Sequence, residues 1–174
     1  MKPLKILVDT NILMSPLTFC ILIYLDELGI IQIVLSQSII NEYNFHKLKI
    51  PSSELKQYSE NFINSYQANI YKHFSSDKIK IKDKGDLHLI EYCRDHNIQN
   101  ILTFDKNSFY KSQLKKLNLI SFHPDIFLFN LISENRIELN ILSQKFYLNP
   151  VDVSQKLKNA GLIKLSNKLK TLQD

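Results

Sequence analysis

Short apolar segments alternate with helix-like segments through the first two thirds of the chain. Apolar runs of strand length lie at 4–8, 30–35, 100–104 and 119–122, and the alternating stretch KIKIK at 78–82 is a further candidate strand. The segments between them have helical spacing of apolar residues and plausible capping residues. Strands that alternate with helices are typical of a parallel sheet covered by helices on both faces. We therefore predict an α/β fold.

Capping residues and breakers set the predicted helix boundaries. A first helix runs from Ser15-Pro16 to Gly29, a second begins at Ser36, and a third starts after Pro51 and continues to about residue 74. The tail, from about residue 137, is expected to form two helices broken near Pro150. With 174 residues the chain is long enough for one domain with a real core. We predict a domain over 1–136 and a helical extension over 137–174 that packs on or near it.

The composition is typical of a folded protein, with 44% hydrophobic and 22% charged residues. The apolar run at 19–25 is too short for a bilayer, which needs roughly 20 apolar residues. The N-terminus lacks the cleavage pattern of a signal peptide, so we expect a cytoplasmic protein with no membrane partner. Cys20 and Cys93 lie in apolar runs and are expected to be reduced core thiols.

The net charge of +5 is compatible with a polyanionic partner. Much of the excess lies in the tail, where residues 156–174 hold five lysines and one aspartate. The same tail is amphipathic, with Val153, Leu157, Leu162, Leu165, Leu169 and Leu172 at apolar positions. We expect this apolar face to pack on the domain, and a dimer contact, a groove for a partner protein and a basic arm for a polyanion are the alternatives.

Acidic residues occur at positions suited to a cation site. Asp9 follows the first predicted strand and Asp105 the fourth, while Glu42 and Asp86 lie on predicted helices. Ligands of a doubly wound sheet bind beyond the carboxyl ends of its strands. Four carboxylates in one cleft repel each other unless one is protonated or a cation is bound, and Mg²⁺ and Mn²⁺ take such oxygen ligands. The acids together therefore favour a magnesium or manganese site.

Each acid also has an ordinary structural explanation. Asp9 is also explained as a turn residue whose carboxylate bonds its own backbone, and Glu42 as a residue on the solvent-exposed face of a helix. Asp86 is explained as an acid in the first turn of a helix, where a negative charge is favourable. The hydroxyl of Thr10 is expected to cap the backbone. The five histidines show no ligand spacing, and we expect them to be ordinary surface or packing residues.

The ordered motifs resemble those of PIN-domain proteins and, more narrowly, of the bacterial PIN toxins of toxin–antitoxin pairs. The resemblance covers about residues 4–133 and rests on the segments ILVDTNILMSP, LSQSIINEY, KDKGDLHLIEYCRDHNIQNILTFDKNSF and ISFHPDIFLFNL. It implies a PIN-like three-layer sandwich with a five-stranded parallel sheet of order 3-2-1-4-5. It also implies a nuclease centre that depends on one or two Mg²⁺ or Mn²⁺ ions.

The resemblance assigns roles to individual residues. The acids of the family correspond here to the catalytic and metal-binding residues Asp9, Glu42, Asp86 and Asp105. Of these, Asp9 and Asp105 are the expected central ligands, Asp86 a direct or water-bridged ligand, and Glu42 the residue that orients metal-bound water. Asn11 and Thr103 match polar residues that hold the carboxylates by hydrogen bonds. Asn107 stands where many relatives carry another acid, so this position departs from the family pattern.

The implied function is an endoribonuclease that cleaves single-stranded RNA as a toxin held in check by an antitoxin protein. The lysines near the motif ends are candidate phosphate contacts, namely Lys47, Lys49, Lys82, Lys84 and Lys106. One alternative is a non-catalytic PIN-like module that binds RNA or protein. Another is a magnesium-dependent phosphatase with Asp9 as nucleophile, which the amide of Asn11 disfavours because such enzymes usually carry an acid there.

Overall fold

The protein divides into two compact units, Met1–Phe122 and His123–Asp174. The structure, a computed structural model, describes residues 2–66, 87–105, 109, 111–134 and 150–170. The described part of the first unit contains a parallel sheet with helices, and that of the second contains helices. The domain boundary predicted at 136/137 falls outside the described residues, so that division stays a prediction.

The first unit is built on a parallel sheet, in which the described strands have the order β2-β1-β3-β4. Their bounds are Leu4–Val8 for β1, Ile31–Val34 for β2, Asn100–Leu102 for β3 and Ile120–Phe122 for β4. In the central strand, Ile6 pairs with Ile33 on one side and Asn100 on the other. The predicted α/β class is therefore confirmed. The strand predicted at 78–82 lies outside the described residues, so the five-stranded order stays a prediction.

Helices connect the strands of this unit. They are α1 (Thr10–Leu13), α2 (Pro16–Glu27), α3 (Gln37–His46), α4 (Glu54–Tyr66), α5 (Leu87–Asp95) and α6 (Lys111–Lys116), with a 3₁₀ turn at Lys47–Lys49. Ser36 caps α3 as predicted, since its hydroxyl accepts a hydrogen bond from the Ile39 amide at 3.3 Å. The chain leaves α2 at Gly29, whose φ of +69° suits glycine.

The core lies around β1 and α2. Ile6, Leu7 and Val8 of the central strand are fully buried, as expected for a strand covered on both faces. Helix α2 is apolar around most of its circumference and contacts both β2 and α4, which explains why eight of its twelve residues are buried. The carboxyl end of β1 therefore emerges from a closely packed interior, which gives the residues that follow it a fixed position.

Both cysteines are free and buried, which confirms the prediction of reduced core thiols. Burial raises the pKa of Cys20 to about 11, with a hydrogen bond to Ser59 acting in the opposite direction. Burial also raises the pKa of Cys93. Because the thiolate is the reactive form of cysteine, neither side chain is suited to nucleophilic chemistry at neutral pH.

The described part of the second unit consists of α7 (Pro124–Ser133), α8 (Pro150–Asn159) and α9 (Ile163–Lys170). Helix α9 contacts both α7 and α8. The apolar residues predicted to lie along one face of the tail are buried at Val153, Leu157, Leu162, Leu165 and Leu169, while Leu172 lies outside the described residues. Across the described parts of both units, no helix is long and apolar enough to cross a membrane.

A buried carboxylate joins α7 to α9 within this unit. Asp125, 6% exposed, accepts hydrogen bonds from the backbone amides of Lys164 at 2.9 Å and Leu165 at 3.0 Å. These amides belong to the first turn of α9, where backbone N–H groups have no partner within the helix. The negative charge also suits the positive end of the helix. Asp125 therefore acts as an N-terminal cap supplied from a distant part of the chain.

Replacing Asp125 with Ala is expected to lower the free energy of unfolding by about 1–3 kcal/mol, because two amides of α9 lose a charged acceptor. Urea denaturation followed by circular dichroism measures the change. Asp152→Ala is the matched control, since Asp152 is exposed. Equal stability of D125A and wild type would show that the cap is unimportant.

Candidate metal centre

Asp9 occupies the carboxyl edge of the central strand. It follows Val8 directly, and its backbone amide donates to the carbonyl of Leu102 at 3.0 Å, which extends the pairing of β1 with β3 by one residue. Its side chain is only 8% exposed. Asp9 also precedes α1, yet its carboxylate makes no capping hydrogen bond to that helix. Capping of α1 therefore does not explain why a carboxylate stands here.

The carboxylate of Asp9 is held by two neutral donors. Its Oδ2 accepts a hydrogen bond from Nδ2 of Asn11 and another from Oγ1 of Thr103, each at 2.6 Å. Asn11 lies two residues along the chain, whereas Thr103 follows β3, the strand that pairs with β1. The orientation of the carboxylate is thus fixed by both strands that meet at this edge.

Thr103 is the centre of the network. Its hydroxyl donates to Asp9 and accepts from Nδ2 of Asn11 at 2.9 Å and from the backbone amide of Asp105 at 3.1 Å. One donated and two accepted hydrogen bonds use the full capacity of a hydroxyl group. The side chain is 2% exposed, so water does not compete readily for these bonds.

Asn11 completes the connection between the two loops. Its Oδ1 accepts a hydrogen bond from the backbone amide of Phe104 at 3.1 Å, while its Nδ2 contacts Asp9 and Thr103. The segments 9–11 and 103–105 are therefore joined through side chains as well as through the sheet. Such a fully connected polar network restricts the positions available to each member.

Glu42 joins the same region through Thr10. Helix α3 contacts α1, and Oγ1 of Thr10 donates to Oε2 of Glu42 at 2.6 Å. Thr10 is 4% exposed, whereas Glu42 is exposed. The sequence suggested a backbone cap for Thr10, and the structure instead gives its hydroxyl a carboxylate partner 32 residues away. This contact was missed because it depends on how α1 packs against α3.

The described acidic, amide and hydroxyl candidates lie at or near one edge of the sheet, and the candidate phosphate contacts Lys47 and Lys49 lie in the 3₁₀ turn after α3. Thr103 connects Asp9 to the backbone amide of Asp105, an exposed residue, and Thr10, which follows Asp9 in the chain, bonds the Glu42 carboxylate. The remaining predicted positions lie outside the described residues, namely Asp86, Asn107, Lys82, Lys84 and Lys106. Among the residues that are described, no three His, Cys, Asp or Glu side chains are grouped closely enough to hold a metal ion.

Comparison with models of known protein families gives no match for this chain, and comparison with curated proteins gives none either. The resemblance to PIN-domain motifs therefore stays a prediction. The structure itself supplies a buried carboxylate at the edge of a parallel sheet, held by an amide and a hydroxyl group. The backbone amide of Asp105 is bonded to the same network, and Glu42 is bonded to Thr10, the residue that follows Asp9.

Proposed function

We propose that this chain is a PIN-like, metal-dependent endoribonuclease that hydrolyses phosphodiester bonds in single-stranded RNA. The observation that carries the proposal is the network of Asp9, Asn11 and Thr103. Burying a carboxylate such as that of Asp9 raises the free energy of the folded state unless hydrogen bonds or charges compensate. Proteins keep such unfavourable polar arrangements mainly at functional sites. The motifs at 4–133 support the nuclease assignment.

The position of this network in the sheet supports a ligand site. Strands β1 and β3 are neighbours, and the connection that leaves β1 runs to β2 on one side of the pair, whereas the connection that leaves β3 runs to β4 on the other side. A crevice forms at such a point outside the carboxyl ends of the strands, where α/β proteins bind their ligands. Asp9 and Thr103 follow the two strands that border this point.

The donor chemistry fits a hard divalent cation. Asp9, Glu42 and Asp105 offer carboxylate oxygens, which suit Mg²⁺ and Mn²⁺. We assign Asp9 and Asp105 as central ligands of one or two ions, with Asp86 as a further ligand and Glu42 orienting a metal-bound water. When bound, the cation would activate water, neutralise charge on the phosphate and stabilise the leaving oxygen.

The neighbouring side chains position these acids. Asn11 and Thr103 both donate to Oδ2 of Asp9, which fixes the plane of that carboxylate. Thr103 also accepts from the amide of Asp105 and so fixes the start of the loop that carries the second acid. Thr10 performs the same task for Oε2 of Glu42. Residues that orient ligand groups in this way are required for full metal affinity and activity.

The positive net charge of the chain supports an RNA substrate independently of the motif resemblance. The chain carries a net charge of +5, and Lys47 and Lys49 lie in the turn that follows the helix bearing Glu42. Phosphate contacts by lysine supply most of the sequence-independent affinity for nucleic acids. Action as the toxin of a toxin–antitoxin pair, in the cytoplasm and under control of an antitoxin protein, follows from the motif resemblance and belongs to the same proposal.

The second candidate function is a non-catalytic PIN-like module that binds RNA or protein. The specific observation in its favour is Asn107, an amide at a position where many relatives of the resembled family carry another acid. Such a module would bind RNA without cleaving it, whether or not a divalent cation is present.

Cleavage of a single-stranded RNA oligonucleotide is expected to depend on a divalent cation. Adding EDTA should reduce the rate at least about 100-fold, because the metal supplies several kcal/mol of transition-state stabilisation, and excess Mg²⁺ or Mn²⁺ should restore it. Gel analysis of end-labelled RNA measures the rate, with single-stranded DNA of the same sequence as control. Cleavage that persists in EDTA contradicts a metal mechanism, and binding without cleavage in either metal supports the second candidate.

A further inference from the structure

Two large apolar side chains are exposed at the end of α3. Phe45 is 80% exposed and Leu48, in the following 3₁₀ turn, is 88% exposed. The other exposed large hydrophobic residues of the described chain lie between 49% and 52%. The ring of Phe45 makes an edge contact with His46 at 4.8 Å between centroids. Neighbouring apolar side chains exposed to this degree indicate an interaction surface.

This surface lies beside the acid network, by which we mean the hydrogen-bonded residues around Asp9 and Glu42. Glu42 and Phe45 are three residues apart on α3, which places them about 4.5 Å apart along the helix axis and on neighbouring positions of one face. Glu42 is in turn bonded to Thr10, the residue after Asp9. A strand of RNA with a phosphate at the acids therefore has an adjacent nucleotide within reach of Phe45.

The charges around the aromatic ring favour a polyanion. The segment FHKLK at 45–49 contains two lysines and no acid, and Lys49 is exposed. Exposed aromatic rings beside cationic side chains are typical of proteins that bind single-stranded nucleic acid, because bases stack on the ring while lysines contact phosphates.

The size of the surface argues against a protein partner. Two side chains of this size offer at most about 500 Å², since a large aromatic residue buries about 150–250 Å². A stable protein interface buries about 800 Å² on each partner. A single nucleotide base, by contrast, needs only one ring face on which to stack.

We propose that Phe45, Lys47 and Lys49 form a base-stacking subsite for single-stranded RNA beside the acid network. The RNA substrate class rests on the proposed function above. Phe45 stacks against one base, and the lysines contact flanking phosphates. Because every base has a stacking face, this subsite selects unpaired over paired nucleotides without selecting a sequence.

The absence of tryptophan from the sequence allows a direct optical test. Phe45→Trp introduces the single tryptophan of the protein at an exposed position, where it can be excited selectively over the tyrosines, and combining it with Asp9→Asn keeps the RNA intact during the titration. Adding a single-stranded oligouridylate is expected to quench the emission saturably. Duplex RNA of equal length should quench less. Leu28→Trp in the same background is the control, since Leu28 is 49% exposed at the opposite edge of the sheet, and its emission should not respond.

Truncation of the ring tests its contribution to binding. Phe45→Ala is expected to raise the Kd for the same oligonucleotide about 5- to 150-fold, and Phe45→Tyr should keep the wild-type value, because both aromatic rings can stack. Circular dichroism verifies that each variant is folded. Sedimentation velocity of the Phe45→Trp protein without RNA verifies that the surface is not occupied by a second copy.

The outcomes separate this subsite from the proposed function. Saturable quenching with a raised Kd for F45A supports the subsite, even if the wild-type protein never cleaves RNA. Metal-dependent cleavage by the wild type, together with no quenching in the F45W protein and an unchanged Kd for F45A, overturns the subsite. The proposed nuclease activity would then still hold. Concentration-dependent self-association that F45A abolishes also overturns it, because the surface would then be a protein interface.

Discussion

Replacing Asp9 with Asn is expected to reduce RNA cleavage by about 100- to 1,000-fold while leaving the fold intact. The substitution removes the negative charge that a cation at this edge requires. It also keeps one carbonyl oxygen, which can accept the hydrogen bonds that Asn11 and Thr103 now donate to Oδ2. Initial rates of oligonucleotide cleavage in saturating Mg²⁺ measure the effect, since a 100-fold loss corresponds to about 2.7 kcal/mol in the barrier.

Asp95→Asn is the matched control for this experiment. Asp95 forms a surface ion pair with Arg94 at 3.1 Å, at the end of α5 that precedes β3 and therefore at the opposite edge of the sheet. Surface pairs of this kind contribute little to stability, so D95N should cleave RNA at the wild-type rate. Full activity of D9N in a folded protein would show that Asp9 takes no part in the reaction.

Replacing Thr103 with Val is expected to lower cleavage about 10- to 100-fold, as is usual when a residue that orients a metal ligand is lost. Valine has nearly the shape of threonine but cannot bond Asp9, Asn11 or the amide of Asp105. The same loss should lower the free energy of unfolding by about 1–3 kcal/mol, because buried polar groups lose a partner. Cleavage rates and urea denaturation give the two values.

Thr103→Ser separates the role of the hydroxyl from the role of packing. Serine keeps the donor and both accepted hydrogen bonds and loses only a methyl group, so T103S should recover most of the activity. If T103S is as impaired as T103V, the methyl group matters and the hydrogen-bond network does not position Asp9. Wild-type activity in T103V would contradict the positioning role outright.

The sequence was sufficient to predict features that depend on local pattern. Alternating apolar strands and capped helices predicted the α/β class, and the caps at Ser36 and Gly29 lie where expected. The placement of Asp9 directly after a strand also follows from local pattern, whereas Thr103 was predicted inside the strand at 100–104 and lies just beyond it, because β3 ends at Leu102.

Features that depend on packing between distant helices could not be predicted. The Thr10–Glu42 hydrogen bond joins residues 32 positions apart, and its existence depends on the angle at which α1 meets α3. Asp125 caps a helix 39 residues further along, although nothing near it in the sequence signals that partner. In both cases the two hydrogen-bonded residues are brought together only by the packing of the apolar faces of their helices.

Binding of Mn²⁺ in the absence of RNA tests the central claim most directly, because it asks whether the network around Asp9 holds a cation before any chemistry occurs. Titration followed by electron paramagnetic resonance gives the affinity of wild type, D9N and D95N. We expect wild type and D95N to bind Mn²⁺ alike and D9N to lose at least about tenfold in affinity. Equal Mn²⁺ binding by D9N and wild type, or no binding by the folded wild-type protein, would contradict a metal centre at Asp9.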